Sequence, residues 1–225
     1  MRNAFTGHPS RRHVLTLGAG VAVGTALATT SAVPAFAAPR ERTWRGSRSA
    51  NGWPVVDQAA KQRLEGAPNV HVSLVDGDVA TVLMYVARRF SYEIDMLRPG
   101  DVQGHITDRH VGAGFESNQL SGTAMAIRPL FYPLGADKAT AMTEQERTVV
   151  RDILADCEDV VAWGGDLDPV KESHFQIDVP PGDARLTRLA RRIQGWDATP
   201  GQGAGSIDAF APARIRRARK AAAAR

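Results

Sequence analysis

Two stretches of the chain, residues 98–122 and 163–174, concentrate the polar side chains that could bind a ligand or catalyse a reaction. Irregular segments between packed elements are where binding and catalytic residues collect. Acid–base catalysis and metal coordination both need side chains of the types found here. The sequence therefore predicts a polar cleft. Its candidate residues are His105, Asp108, Arg109, His110, Glu116, Trp163, Asp166, Asp168, Glu172 and His174.

The spacing of these residues argues against several standard catalytic sites. A catalytic zinc needs three histidine or carboxylate ligands and an open position for water, and no His-x-x-x-His pair is present. The chain also lacks a G-x-S-x-G elbow, a phosphate-binding loop and a cysteine cluster. Each histidine by itself is interpreted as a surface or hydrogen-bonded residue. Cys157 is the only cysteine, so no intramolecular disulfide is possible, and a buried thiol is predicted.

Hydrophobic periodicity indicates the elements that must position these side chains. Apolar residues at 79, 83, 86 and 90 predict an amphipathic helix over 77–90. Thr143 and Glu146 form a capping-box pattern at the start of a second helix over 143–160, whose inward face includes Val150 and Ile153. A third helix is predicted over 183–193, and strands are predicted at 70–75, 91–97, 123–130, 160–163 and 173–179.

These elements predict one α+β domain over residues 53–196, with a small antiparallel central sheet and flanking helices. Residues 38–52 are rich in Ser, Arg and Gly and are predicted to be a linker. Residues 197–225 are predicted to be a flexible linker followed by a basic tail that forms a short helix or a frayed terminus.

The first 37 residues have the pattern of a twin-arginine signal peptide. Arg11 and Arg12 precede an apolar run, and Ala35 and Ala37 form an A-x-A cleavage site. The sequence therefore predicts a secreted, extracytoplasmic protein, with an uncleaved membrane anchor as the alternative. Export of this kind carries folded proteins, which permits a bound metal without requiring one.

The formal net charge of +4 is unevenly distributed. Residues 1–37 carry +3 and residues 214–225 carry +6, which leaves −5 on the segment between them. The high pI therefore belongs to the ends of the chain, and no nucleic-acid partner is predicted. The basic tail is predicted either to contact an anionic wall polymer or membrane surface, or to stay solvated.

Five segments, taken in order, resemble the zinc D-alanyl-D-alanine carboxypeptidase family. This is the vancomycin-resistance carboxypeptidase type, which includes phage L-alanyl-D-glutamate endolysin peptidases. The segments are SNQLSGTAMAI (117–127), YPLG (132–135), an amphipathic helix, VVAWGGD (160–166) and HFQI (174–177). The resemblance covers about residues 70–180 and implies the D-Ala-D-Ala carboxypeptidase or hedgehog-type peptidase fold.

The family pattern Ser-x-His-x-x-Gly-x-Ala-x-Asp supplies two zinc ligands, the His and the Asp. Ser117, Gly122 and Ala124 match it, whereas Gln119 stands at the His position and Ala126 at the Asp position. Alanine has no donor atom, and an amide oxygen is a weak ligand for zinc. The resemblance therefore implies a site without two of its metal ligands.

The second half of the family pattern is an acid three residues before another zinc-binding His. His174 is the only retained ligand, and Lys171 stands where the acid acts as general base. A cation there repels a dication and cannot take a proton from bound water. No cofactor is therefore predicted, and the alternative is a zinc site rebuilt with His105 or His110.

The resemblance implies that the cleft still binds peptides. Arg109 is expected to hold a carboxylate, and Trp163 lies in the turn that frames the cleft. We expect a secreted pseudoenzyme that binds peptidoglycan stem peptide or a related peptide. The alternatives are an active cell-wall peptidase that cuts D-Ala-D-Ala or L-Ala-D-Glu bonds, and a pocket in which Lys171 and Glu172 perform metal-free acid–base chemistry. The expected binding residues are Arg109, Ser117, Gln119, Trp163 and His174.

Overall fold

The computed structural model describes residues 42–136 and 141–224; the predicted signal peptide lies outside these ranges. The helices are α1 (Asp78–Glu93), α2 (Glu144–Cys157), α3 (Ala184–Asp197) and α4 (Pro212–Ala223). The strands are β1 (Arg42–Thr43), β2 (Ala60–Arg63), β3 (His71–Leu74), β4 (Val102–Gln103), β5 (His110–Val111), β6 (Ala124–Ile127), β7 (Val161–Trp163) and β8 (His174–Ile177).

A four-stranded antiparallel sheet with the order β4-β6-β8-β7 lies at the centre of the structure. Every residue of β6, β7 and β8 is buried. Two smaller antiparallel pairs, β1 with β5 and β2 with β3, lie beside it. The predicted α+β class, with small antiparallel sheets and flanking helices, is confirmed.

Helix α1 packs through the predicted apolar face, since Val79, Leu83, Val86 and Phe90 are all buried. Helix α2 begins with the predicted capping box. The Thr143 hydroxyl accepts a hydrogen bond from the Glu146 N–H at 3.2 Å, and the Glu146 carboxylate accepts one from the Thr143 N–H at 2.6 Å. Such a cap contributes about 1 kcal/mol to helix stability. Cys157, at the end of α2, is buried as predicted.

The strand predicted at 91–97 is wrong, because α1 continues to Glu93. Arg89 and Glu93 form an ion pair across one helical turn. The Ile94 N–H then donates to the Phe90 carbonyl at 3.0 Å and closes the helix. The ion pair between side chains one turn apart favours a helix over the predicted strand.

The N-terminal part described, from residue 42 to 52, is bound to the domain instead of forming a linker. Strand β1 pairs with β5, and Ser49 is buried with its hydroxyl 2.9 Å from that of Ser121. The N–H groups of Ala50 and Asn51 donate to side-chain oxygens of residues 117 and 118 at 2.9 and 3.0 Å. The polar residues of this segment, which led to the prediction of a linker, instead form hydrogen bonds to the domain.

The basic tail is also part of the packed structure, since α4 lies against α2. Its arginines at 214 and 217 complete a cluster that contains three guanidinium groups and three carboxylates. Arg89 and Asp152 are fully buried in it, and Asp156 is 3% exposed. The cluster consists of Arg89, Arg214, Arg217, Glu93, Asp152 and Asp156.

The two arginines of α4 balance this cluster. Without them, one buried guanidinium would face three carboxylates, and an uncompensated buried charge is strongly unfavourable. Helix α4 has little other anchorage, because Ala218 is its only buried residue. The interaction of α4 with the domain is therefore mainly electrostatic. Among the residues described, none of the helices is both long and apolar enough to cross a bilayer.

Replacing both inward arginines of α4 should destabilise the whole domain. We expect Arg214→Met with Arg217→Met to lower the free energy of unfolding by about 3 kcal/mol, because buried carboxylates lose their partners. Urea denaturation followed by circular dichroism measures this value. The matched control is Arg216→Met with Arg219→Met, which changes exposed residues of the same helix and should alter stability by less than about 0.5 kcal/mol. Equal stability of the two double variants would contradict the role of α4.

Candidate functional site

Three residues from neighbouring strands form a row at one end of the central sheet. Gln103 of β4 is the register partner of Ala126 of β6, and Ala126 is the partner of His174 of β8. Directly opposed residues in antiparallel strands project to the same face, with Cβ atoms about 5 Å apart. Ala126 and His174 are therefore direct neighbours.

Gln119 reaches the same row from the 3-10 helix Gly114–Gln119. Its side-chain amide donates to the carbonyls of Gln103 at 3.2 Å and Gly104 at 3.0 Å. The residue is 2% exposed. Gln119, Ala126 and His174, where the resemblance implies zinc ligands, thus adjoin the same row of the sheet, and the Gln119 amide group is bonded to backbone carbonyls.

The environment of His174 assigns the proton on its ring. His174 Nε2 lies 3.0 Å from Oε1 of Gln176, an oxygen that also accepts from the Asn118 amide at 2.8 Å. The Gln176 amide nitrogen donates to Asp178 at 3.0 Å, which fixes the orientation of the Gln176 side chain. His174 Nε2 is therefore the protonated nitrogen. Its Nδ1 atom is buried and has no hydrogen-bond partner among the residues described.

Burial keeps His174 neutral. The residue is fully buried, and Phe115 packs on it with ring centroids 4.8 Å apart. Burial lowers the pKa of His174 to about 4; the bond to Gln176 partly opposes this, while the Lys171 ammonium lowers the pKa further and Glu116 raises it. The imidazole is thus a neutral hydrogen-bond donor throughout the ordinary pH range.

Lys171 forms a nearly buried ion pair with Glu116. Its ammonium lies 2.5 Å from Glu116 Oε1, and the two side chains are 10% and 13% exposed. The other carboxylate oxygen of Glu116 accepts from the N–H groups of Gly112 at 2.7 Å and Ala113 at 3.1 Å. Burial alone would raise the pKa of Glu116, but Lys171 and these two N–H groups hold it below its usual value.

The turn at Gly164 fixes the backbone of Lys171. The Lys171 N–H donates to the Gly164 carbonyl at 2.9 Å, and the Lys171 carbonyl accepts from the His174 N–H at 2.9 Å. A Cβ atom at Gly164 would collide with that carbonyl and with the Cβ of His174. Glycine is therefore required here for the close packing that holds Lys171 beside His174.

A cleft of about 470 Å³ opens beside this arrangement, and its lining includes Gln119 and Lys171 but not the fully buried Ala126 and His174. The buried side chains of Gln119 and Lys171 form its floor, and Asp108 and His110 lie at its exposed rim with 2.7 Å between Oδ1 and Nδ1. Bonds from His110 hold the pKa of Asp108 below its usual value. Clefts of this size accommodate small ligands. Its apolar wall is formed by Ile106, Pro133 and Leu134.

Arg109, expected to hold a ligand carboxylate, is placed elsewhere. Its guanidinium donates to the carbonyls of Gly46 at 3.1 Å and Trp44 at 3.3 Å, and so fastens the N-terminal segment. The cation that lines the cleft is Lys171 instead. Sequence position alone did not distinguish these two cations, since both lie in the predicted irregular stretches.

Two other expected binding residues are enclosed by the protein. The Ser117 hydroxyl donates to the Gly114 carbonyl at 2.6 Å and accepts from the Ala50 N–H, and the residue is fully buried. Trp163 donates through its indole N–H to the Glu172 carbonyl at 2.7 Å, and it is 2% exposed. Both residues, like the fully buried His174, therefore support the local structure rather than contact a ligand.

Glu172 does not share the cleft with Lys171. Its carboxylate accepts from the Met142 N–H at 2.6 Å and from the Arg147 guanidinium at 2.8 Å, near the start of α2. The expected acid–base pair of Lys171 and Glu172 is thus corrected, because adjacent side chains here project in different directions. The partner of Lys171 is Glu116, whose role was not predicted. The signal that could have found it is a glutamate three residues after Ala113, at the start of a short helix.

The residues present do not fit a zinc ion. In the row formed by Gln103, Ala126 and His174, only His174 has a side chain of a type that zinc prefers. His105 is engaged elsewhere, because its Nε2 atom is hydrogen-bonded to the Val56 carbonyl at 2.9 Å. His110 lies on the exposed rim with Asp108. Within residues 42–136 and 141–224, no three His, Cys, Asp or Glu side chains are grouped so that they could hold a metal ion. The rebuilt site considered above is not found in that part of the chain.

Comparison of the chain with models of protein families, with curated proteins and with solved structures gave no match.

The buried neutral His174 should make stability depend on pH. In the unfolded chain His174 titrates near 6.5, and in the folded protein near 4. The unfolded state therefore binds more protons in this window, and stability falls as the pH falls. We expect His174 to account for a loss of about 2 kcal/mol between pH 7 and pH 5.

The variant His174→Gln removes the titrating imidazole and keeps a hydrogen bond, since its amide nitrogen can still donate to Gln176. Urea denaturation of both proteins at pH 7 and pH 5 measures the effect. The wild-type protein should lose about 2 kcal/mol more than the variant over this interval. An identical pH dependence in the two proteins would show that His174 is not buried in its neutral form.

Proposed function

We propose that this chain is an exported peptide-binding protein built on a D-alanyl-D-alanine carboxypeptidase-like domain without the zinc centre or hydrolytic activity. Its ligand is peptidoglycan stem peptide or a related peptide, bound in the cleft above Lys171. The observation that most supports the proposal is the convergence of Gln119, Ala126 and His174. Gln119 and Ala126 lie seven residues apart and His174 follows 48 residues after Ala126, and all three correspond to the ligand positions of the family pattern.

The chemistry of the converging residues supports the loss of hydrolysis. Ala126 offers no donor atom, and the Gln119 amide is engaged by two backbone carbonyls. Lys171 brings a positive charge to the position of the general base and is neutralised by Glu116. A zinc ion would need to displace this ion pair and find further ligands, which is unfavourable for a metal that prefers imidazole and thiolate.

The surface of the cleft supports peptide binding. Ile106, Pro133 and Leu134 supply an apolar wall suited to small side chains, and Gln103 and Lys171 supply polar groups. Backbone amides of a peptide can bond to such groups while its side chains pack on the wall. Export is proposed from the pattern of residues 1–37 and fits a ligand in the cell wall.

A second candidate is metal-free acid–base catalysis in the same cleft. It is favoured by one observation: the Lys171–Glu116 and Asp108–His110 pairs line the same cleft. A histidine oriented by a carboxylate can transfer protons near neutral pH. Incubation with purified stem peptides, followed by chromatography, separates the candidates, because only the second yields cleavage or transfer products.

A bulky residue on the apolar wall should block peptide binding. We expect Leu134→Trp to weaken binding of a stem pentapeptide at least tenfold, because the indole occupies part of the 470 Å³ cleft. Chemical-shift titration of labelled protein measures the affinity. It also shows whether the signals of residues 112–119, three of which line the cleft, shift when the peptide is added.

Leu130→Trp is the matched control, since Leu130 lies nearby in sequence but is 93% exposed and does not line the cleft. Its affinity should equal that of the wild-type protein. Loss of binding in both variants, or in neither, would argue against this cleft as the peptide site. No shift with any stem peptide would contradict the proposed function itself.

A further inference from the structure

The basic residues of α4 are divided between two faces of the helix. Arg214 and Arg217 turn inward to Asp152 and Asp156. The outer face contains three other cations, Arg216, Arg219 and Lys220, and all three are exposed. Their spacing of three and four residues places them on one side of the helix. The inward pair thus fixes the helix while the outer cations face solvent.

The outer cations differ from the inward arginines in their ion pairs. Arg216, Arg219 and Lys220 form no ion pair with any residue of the parts of the chain that the structure describes, in contrast to Arg214 and Arg217. Because the inward ion pairs hold the helix, the three positive charges are kept together. We call Arg216, Arg219 and Lys220 together the outer face of α4.

Apolar groups lie next to this charged face. Phe210, just before α4, is 49% exposed. A groove of about 490 Å³ separates α2 from α4 and is lined by Phe210, Ile215, Ala218 and Arg219. The one carboxylate on this groove, Glu144, is paired with Arg147 at 3.0 Å. The surface therefore combines free positive charge with accessible apolar area.

We propose that the outer face of α4, together with Phe210, binds a membrane surface rich in anionic lipids. The charge distribution supports this partner, since residues 38–213 carry a net −5 whereas residues 214–225 carry +6. An anionic surface attracts α4 and repels the remainder of the domain, which sets the orientation. The inference is independent of the peptide-binding function proposed above.

The apolar component favours a lipid surface over a soluble anionic polymer. A polyanion would use the cations alone, whereas a lipid interface also buries an aromatic side chain beside basic residues. Arg216, Arg219 and Lys220 supply the electrostatic attraction, and Phe210 and the groove supply the apolar contact. The expected contribution of three cations near an anionic lipid surface is an affinity increase of about 100-fold.

Co-sedimentation of the full chain with vesicles tests the proposal. One set of vesicles contains equal parts of phosphatidylglycerol and phosphatidylcholine, and the other contains phosphatidylcholine alone. The variant combines Arg216→Gln, Arg219→Gln and Lys220→Gln. The matched control combines Arg98→Gln, Arg188→Gln and Arg191→Gln, which removes the same charge from exposed arginines outside α4. The rest of the chain, including residues 1–37, is identical in all three proteins.

The proposal predicts that the α4 variant binds the anionic vesicles about 100-fold more weakly than the wild-type protein, and that the control loses far less. Phe210→Ser should weaken binding to the anionic vesicles without changing the effect of salt. Equal losses in the α4 variant and the control would overturn the proposal. Binding to soluble polyglycerol phosphate without binding to vesicles would also overturn the proposal and would identify a polymer as the partner.

Discussion

The ion pair between Lys171 and Glu116 is the interaction on which the chemistry of the cleft depends. It is nearly buried, so the charge of each residue is tolerated only because the other is present. Lys171 is a cation beside the neutral imidazole of His174 and adds to the lowering of the His174 pKa by burial, while Glu116 opposes it. At the cleft, Gln119 and Lys171 are both engaged by other groups of the protein, and within residues 42–136 and 141–224 no three His, Cys, Asp or Glu side chains are grouped so that they could hold a metal ion.

Polar interactions also determine the extent of the domain. The N-terminal segment is held by hydrogen bonds from Ala50 and Asn51 to the side chains of residues 117 and 118, and α4 is held by ion pairs to Asp152 and Asp156. Buried polar groups of this kind are costly unless every partner is present. The two segments are therefore integral to stability, although each is polar enough to suggest a flexible terminus.

Sequence patterns were sufficient for the elements governed by apolar periodicity and capping. The stripe of α1 and the Thr143 cap of α2 are local signals, and both predicted the observed helices. The positions of charged residues depended on contacts that the local pattern does not contain. Arg109 and Lys171 are both cations in irregular stretches, and only the tertiary structure separates the one that binds backbone carbonyls from the one that lines the cleft. The pairing of Lys171 with Glu116, rather than with Glu172, likewise follows from packing across 55 residues of chain.

The most direct test of the central claim is zinc stoichiometry in a variant that combines Gln119→His, Ala126→Asp and Lys171→Asp. The neighbouring register of Ala126 and His174 predicts that these changes create a three-ligand centre, so the folded variant should bind one zinc ion and the wild-type protein none. Adding His174→Gln to the variant should weaken that binding at least tenfold. Stoichiometric zinc in the wild-type protein would contradict the account, as would a folded triple variant that binds no zinc.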